Sequence, residues 1–415
     1  MNRVELVRTA QRHGTPLYRY DLAGVRARAG ELRAALPAGA ELLYSLKANP
    51  LAPVVAAARG AGCGAEVSSP GELASAVAAG FDPAEVLYTG PGKAEAELVE
   101  VVGAGARLFS CESAAELDRL GRVAGSTGRG LRALLRLMPA GRPAAGLSMS
   151  DGRQFGFAAD EAAAAWAAAP AGVELLGFHV YLGSQLGSVA DLLEGFTHAR
   201  DVVDLVAGVT GVPPKVVDLG GGFPWPYATA GAGCGLDGLR EGLERLLSGW
   251  EHRPRLWFET GRRVVAGAGV LLVTVVDVKH RPNGVLVVVD GGINVLGGMS
   301  GLGRVLRPRT AVENLGAGTG EVPEGGGLPE GGEVPEVDVV GPLCTPLDRV
   351  AARVPVADPK PGDVLLVENV GAYGATASLV SFLSRPGPVE LVVDGDEEIG
   401  TWRIDGRAVR LTGPA

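Results

Sequence analysis

The 415-residue chain carries a net charge of −9, with 47% hydrophobic and 20% charged residues. That length allows two or three domains, and that composition supports a sizeable core and excludes a disordered chain. The acidic balance argues against nucleic acid as a partner, because phosphate backbones are bound through clustered Lys and Arg. No apolar run of about 18 residues free of charges or helix breakers occurs, so no membrane span is expected. The first five residues carry no apolar signal segment, and Cys63, Cys111, Cys234 and Cys344 form no CxxC pair. These features predict a soluble cytoplasmic protein without a disulfide scaffold, a zinc ribbon or a resident metal.

Residues 15–20 (Thr-Pro-Leu-Tyr-Arg-Tyr) form a short strand-like stretch. Apolar runs of strand length then alternate with Ala/Leu/Glu-rich helical segments. Strands are predicted at 40–47, 65–68, 86–89, 108–111, 132–137, 175–181, 216–219 and 255–259, and the early helices at 51–61, 70–79, 94–102 and 113–124. Some eight β-then-α units predict an α/β architecture, a (β/α)8 TIM-like barrel. An open doubly wound sheet is the rival, but no GxGxxG follows the first strand. Beyond Val264 the texture changes to short β-branched runs at 270–279, 285–290, 337–340, 363–368, 389–393 and 401–404, which predict a mostly β C-terminal domain. The Gly/Glu/Pro-rich stretch 315–336 has no apolar face and reads as a flexible surface insertion. The expected division is 1–23 joining the β domain, 24–266 as the barrel, and 267–415 as the β domain.

Active-site groups of a barrel stand at the C-terminal ends of its strands. Those ends present Lys47, Glu66, His179 with Tyr181, Gly220-Gly221-Gly222, and Glu259 with Arg262. A lysine can form a Schiff base with an aldehyde cofactor, a glycine-rich turn lets backbone N–H groups approach a phosphate, and a carboxylate can keep a pyridine nitrogen protonated. Singly these signals are weak, but in this order within a barrel they point to pyridoxal 5′-phosphate.

The motifs are also specific. Tyr44-Ser45-Leu46-Lys47-Ala48-Asn49-Pro50 resembles the cofactor-lysine motif of the fold-type III pyridoxal-phosphate decarboxylases, which act on diaminopimelate, ornithine or arginine and share an alanine-racemase-like barrel. The resemblance continues in family order. It includes Glu66-Val67-Ser68-Ser69-Pro70-Gly71-Glu72-Leu73, Gln154-Phe155-Gly156, Leu182-Gly183-Ser184-Gln185 and Gly220-Gly221-Gly222-Phe223-Pro224. Glu259-Thr260-Gly261-Arg262, Asp290-Gly291-Gly292, Gly341-Pro342-Leu343-Cys344-Thr345-Pro346-Leu347-Asp348 and Gly371-Ala372-Tyr373-Gly374 complete it. The resemblance implies that Lys47 carries the cofactor and that Glu259 pairs with its ring nitrogen. Gly221, Gly222, Gly261, Arg262, Tyr373 and Ser184 would hold the phosphate, with Glu66 and His179 also lining the cofactor. It further implies a homodimer with shared active sites, in which Cys344 and Asp348 reach the partner's site and Cys344 returns a proton after carbon dioxide leaves. Glu72 reads instead as a helix-start cap, and Cys63, Cys111 and Cys234 as packing or surface thiols.

Three positions depart from the diaminopimelate pattern. Tyr181 replaces the histidine that stacks on the cofactor ring, with His179 on the same strand face two residues earlier. Thr345 follows the cysteine where a glutamate usually reads the substrate's distal amino group. Ile293-Asn294-Val295-Leu296-Gly297-Gly298-Met299 follows Asp290-Gly291-Gly292 where an Arg-Pro and a tyrosine bind the distal carboxylate, and Ser378-Leu379-Val380-Ser381-Phe382-Leu383 lacks the usual Asn-Tyr. A site that loses those partners disfavours a substrate charged at its far end. The departures resemble the butirosin-pathway branch of the family, which acts on a glutamyl group tethered to an acyl carrier protein. The resulting expectation is α-decarboxylation of a free or carrier-tethered amino acid in a biosynthetic pathway, with Thr345, Asp348 and Arg307 on the substrate side. Arg304, Arg307 and Arg309 would form a local basic landing site for the carrier. A divergent diaminopimelate, ornithine or lysine decarboxylase is the alternative. An alanine-racemase-like isomerase or a non-catalytic cofactor-binding protein stands further off.

Overall fold

A computed structural model describes residues 2–139, 155–251, 253–297, 310–316 and 334–406. Gln154, Gly298, Met299, Arg304, Arg307 and Arg309, and residues 317–333 of the predicted insertion, lie outside the described residues. By their contacts the residues form two units, one of Val25–Trp225 with Gly233–Val264, the other of Met1–Gly24, Pro226–Ala232 and Val265–Ala415.

Strand β1 (Leu17–Asp21) follows an opening helix, Arg3–His13. Eight further strands then come in sequence: β2 (Glu41–Ser45), β3 (Gly64–Val67), β4 (Leu87–Tyr88), β5 (Leu108–Cys111), β6 (Leu131–Leu137), β7 (Val173–Val180), β8 (Val216–Asp218) and β9 (Arg255–Thr260). Each is parallel to its neighbours, and β2 pairs with β9 to close the barrel expected from the sequence. Its interior is filled by a ring of apolar side chains from seven strands, Leu43, Leu87, Leu108, Leu134, Leu176, Val216 and Trp257. The remaining strand, β3, contributes Gly64, where a Cβ would come within 2.6 Å of Leu43 Cδ2, so the glycine leaves room for the leucine. This is the layered packing of a filled barrel rather than a pore.

The second unit is built from β1 and from β10 (Gly269–Arg281), β11 (Gly284–Val289), β12 (Glu313–Asn314), β13 (Glu336–Val340), β14 (Arg349–Pro355), β15 (Val364–Val367), β16 (Val389–Asp394) and β17 (Glu397–Trp402). The sheet order is β14-β13-β11-β10-β1-β16-β17, with β15 against β10 and β12. The N-terminal strand therefore sits inside the sheet, antiparallel to β10 and parallel to β16. The opening helix buries Leu6, Val7 and Ala10 against Leu17, Val270, Leu272, Leu366 and Leu391. The mostly β character matches the expectation from the short β-branched runs. Strand β14 was not predicted: in Arg-Val-Ala-Ala-Arg-Val-Pro only Val350 and Ala351 are buried, which leaves no apolar alternation to read. Strand β17 begins four residues before the predicted 401–404, because Glu397 and Glu398 are exposed edge positions with no apolar signal.

Candidate active site at the C-terminal end of the barrel

Side chains on a strand return to the same face every second residue. Two positions beyond the apolar ring, the same inward face carries Ser45, Glu66, Thr89, Ser110, Arg136, Asp218 and Glu259, counted from Leu43, Gly64, Leu87, Leu108, Leu134, Val216 and Trp257. The eighth strand contributes His179, three residues beyond Leu176. The register between β6 and β7 slips there, with Ala133 opposite Leu175 but Leu134 opposite Gly177. Gly177 has φ +155°, and any Cβ on it would overlap the Val216 carbonyl, so only glycine allows this irregularity. The apolar ring is thus topped by a polar one to which every strand contributes.

Lys47 lies in the turn Leu46–Ala48 directly after β2, a turn closed by the Tyr44 hydroxyl donating to the Asn49 carbonyl at 2.8 Å. Its Nζ is 3.3 Å from Glu66 Oε1 and 3.2 Å from Oε2. The Thr89 hydroxyl also donates to Glu66 Oε1, and Ser68 Oγ donates to it at 3.3 Å. Burial alone would raise the Glu66 carboxyl, but the Lys47 charge and the hydrogen bonds from Thr89, Ser45 and Lys47 outweigh it and hold the group below its ordinary range.

On β7, β8 and β9, the last of which pairs with β2, lie His179, Asp218 and Glu259, all buried. Asp218 Oδ1 accepts the Gly220 N–H at 2.8 Å, and His179 Nδ1 meets Ser110 Oγ at 2.8 Å. Among the described residues, Asp218 Oδ2, His179 Nε2 and Glu259 Oε1 have no hydrogen-bond partner. Burial is the main cause that pushes Asp218 up to about 7, with Glu66 adding to the shift; burial, Glu66 and Asp218 push Glu259 well above its ordinary range. Burial and the charges of Arg136, Lys47 and Lys93 hold His179 neutral. Donor atoms of the three residues lie within 4.8 Å of one another, the only such cluster among the described residues.

The loops above this ring are held by close backbone approaches. Gly220 has φ +65°, and a Cβ at Gly221 would lie 2.7 Å from the Glu259 carbonyl. The Gly222 carbonyl accepts the Leu186 N–H at 3.0 Å, and the Gln185 side chain pairs with both backbone groups of Trp225 at 2.8 and 2.9 Å. The Ser184 loop is thereby tied to the glycine turn. Gly261 leaves space for Ala48, since a Cβ there would be 2.7 Å from the alanine's own, which sets Arg262 beside the Lys47 turn. Tyr181 stands one residue past β7, half-buried, with the Arg136 guanidinium 5.9 Å from its ring. Glu72 is a cap, as expected: its carboxylate accepts the Ser68 N–H at 2.7 Å and its own N–H goes to Ser69 Oγ at 3.1 Å.

The structure therefore brings Lys47, Glu66, His179, Tyr181, Ser184, Gly221, Gly222, Glu259, Gly261 and Arg262 to one end of the barrel. Sequence reasoning missed Ser110, Arg136 and Asp218, although the period-2 offset from the apolar ring marks all three. Tyr373, Cys344, Thr345 and Asp348 belong to the β unit. There Tyr373 has φ +53°, and its carbonyl accepts the Tyr227 hydroxyl at 3.1 Å. Asp348 is buried, and its two oxygens take the N–H groups of Ile293 and Leu343, each at 2.7 Å, which clamps Asp290-Gly291-Gly292 against the cysteine loop. Thr345 Oγ1 accepts the Leu347 N–H at 3.3 Å, and Cys344 is exposed.

These residues fit pyridoxal phosphate. An amine stands at a strand end, a buried acid has an oxygen without a partner, and a glycine turn admits close backbone approach. The pyridoxal-dependent decarboxylase family, through its pyridoxal binding domain, matches residues 22–266. The chain belongs to this family and is a pyridoxal-phosphate-dependent carboxy-lyase. A diaminopimelate decarboxylase of Pseudomonas aeruginosa is 32% identical, over 95% of this chain and 91% of its own length. The L-glutamyl-BtrI acyl-carrier protein decarboxylase of Niallia circulans is 30% identical, over 94% of this chain and 92% of its own. Diaminopimelate decarboxylase from Helicobacter pylori, complexed with L-lysine, superposes with a TM-score of 0.79 at 25% identity, covering 97% of this chain and 95% of that one. Among the described residues no helix is long and apolar enough to cross a membrane.

A carboxyl whose folded-state pKa lies above its unfolded value binds extra protons when folded, so stability falls as pH rises between the two values. Asp218 moves from 3.8 to about 7, so in the cofactor-free protein it contributes a loss of stability across that interval. Asp218→Asn is expected to flatten the decline, as measured by urea unfolding at a series of pH values.

Proposed function

We propose that this decarboxylase acts on an amino acid whose far end carries no free charge, an aminoacyl group tethered to an acyl carrier protein being the form that fits best. The observation that carries the reading is the segment after Asp290-Gly291-Gly292. Ile293, Val295 and Leu296 are buried at 3%, 0% and 1% exposure, so the stretch that would read a distal carboxylate is core instead. Thr345, in the place of an amine-reading glutamate, spends its hydroxyl on the turn it occupies. The carrier-protein enzyme of Niallia circulans supports the reading as a relative of similar identity and coverage to the diaminopimelate enzymes. The proposal assigns Lys47 to hold the cofactor and Glu259 to face its ring nitrogen. Tyr181 packs against the ring, and Ser184, Gly221, Gly222, Gly261 and Arg262 hold the phosphate. Bound there, pyridoxal phosphate supplies an electron sink for the pair released when the bond from Cα to the carboxylate breaks. Exposed Cys344 gives its proton to that Cα in the site of a second copy.

A second reading, decarboxylation of free diaminopimelate, is favoured by the Pseudomonas aeruginosa relative. Trapping carbon dioxide from free diaminopimelate, ornithine and lysine, and from carrier-loaded glutamyl and other aminoacyl groups, separates the two. The tethered substrates are expected to turn over at least about tenfold faster, which equals one charged partner's worth of binding. Faster turnover of free diaminopimelate would establish the second reading.

Sharing of the site has its own test. Lys47→Ala and Cys344→Ala proteins, each inactive, should regain up to about a quarter of wild-type activity when mixed under subunit exchange, because one site in a mixed dimer is intact. No recovery despite exchange would place both residues in one subunit's site or remove Cys344 from it.

A further inference from the structure

Ser110 is fully buried, and the only hydrogen bond of its hydroxyl among the described residues is to Nδ1 of His179, at 2.8 Å. A buried hydroxyl proton needs an acceptor, and Nδ1 is the one available. Ser110 therefore donates, Nδ1 carries no proton, and the single proton of the neutral ring sits on Nε2. That nitrogen lies 3.6 Å from Glu259 Oε1, and neither atom has a hydrogen-bond partner among the described residues. The separation is a close approach rather than a bond, and a shift of about half an ångström would make it one. Serine, imidazole and carboxyl come from β5, β7 and β9, and none belongs to a loop that could turn away. Lys47, Arg136 and Lys93 also bear on the imidazole, and Glu66 and Asp218 on the carboxyl.

We propose that Ser110 and His179 are positioning residues: the serine fixes the Nε2–H form of the imidazole, and that N–H holds one oxygen of Glu259 so that the carboxyl presents itself to the cofactor's ring nitrogen. The proposal rests on the assignment of Glu259 made above. It gives the inner histidine a task separate from that of Tyr181, which stands outside the strand.

The tautomer is read directly by nitrogen-15 NMR of imidazole-labelled, cofactor-free protein, with the signal assigned through His179→Asn. A neutral ring protonated at Nε2 is expected, with a mixture of tautomers in Ser110→Ala and the wild-type form restored in Ser110→Thr. A ring protonated at Nδ1, or a charged ring, at neutral pH would overturn the proposal. The second measurement is pyridoxal phosphate binding, followed by dissociation constant and by the absorbance of the bound cofactor. Ser110→Ala is expected to weaken binding about 3- to 10-fold, the worth of one buried hydrogen bond, and to move the absorbance in the same direction as Glu259→Gln. If Glu259→Gln alters both quantities and Ser110→Ala neither, the relay is wrong and the Glu259 assignment stands. If Glu259→Gln alters neither, both fall.

Discussion

Three carboxyl groups and an imidazole share the buried end of the barrel with Lys47 and Arg136, and the uneven reach of those two positive charges gives each acid a different state. Glu66 lies within 3.2 Å of Lys47 and is held ionised, whereas burial and the Glu66 charge push Asp218 and Glu259 upward, with Asp218 adding to the shift of Glu259. Arg136 is engaged 2.8 Å away by a fourth carboxylate, Glu112, and by the face of Phe155, which limits what it offers the other acids. The result is an amine beside a charged partner on one side and acids with proton-binding capacity on the other. Such a split suits a cofactor with an aldehyde at one end and a basic ring nitrogen at the other.

The barrel makes this affordable because the polar ring rests on an apolar one. Leu43, Leu87, Leu108, Leu134, Leu176, Val216 and Trp257 close the floor beneath the polar groups. Glycine sets the approach of the loops. Gly220 and Gly261 bring backbone beside Tyr181 and Ala48, where side chains would stand in the way. In the β unit a single carboxylate, Asp348, performs a comparable service by clamping two loops through backbone amides, which leaves Cys344 displayed at the surface.

Lys47, Glu66, Glu259 and the glycine turn were legible because each stands at a strand end in a local motif. Ser110, Arg136 and Asp218 were not, because each strand was read for its apolar run and the inward phase was not carried from strand to strand. His179 would have defeated a strict alternation in any case: the slip at Gly177 shifts its phase by one residue, and only the pairing with β6 and β8 shows it. Asp348 carries the motif expected of a substrate-side residue, yet its oxygens are occupied by backbone N–H groups, a use that sequence does not reveal. Strand β14 and the first half of β17 escaped because edge strands with charged faces lack the apolar alternation on which strand prediction depends.

The central claim is that Lys47 is the amine that binds the cofactor. The chain has five lysines, and the other four are committed elsewhere. Lys93 is buried 2.9 Å from Glu116, and Lys215, Lys279 and Lys360 pair with Glu174, Asp277 and Asp358. Borohydride reduction of the holoenzyme, followed by digestion and mass spectrometry, reads the attachment point directly. The account predicts a pyridoxyl group on the peptide containing Tyr44-Ser45-Leu46-Lys47 and on no other. A pyridoxyl group on any of the other four lysines, or none after reduction of fully loaded protein, would contradict it.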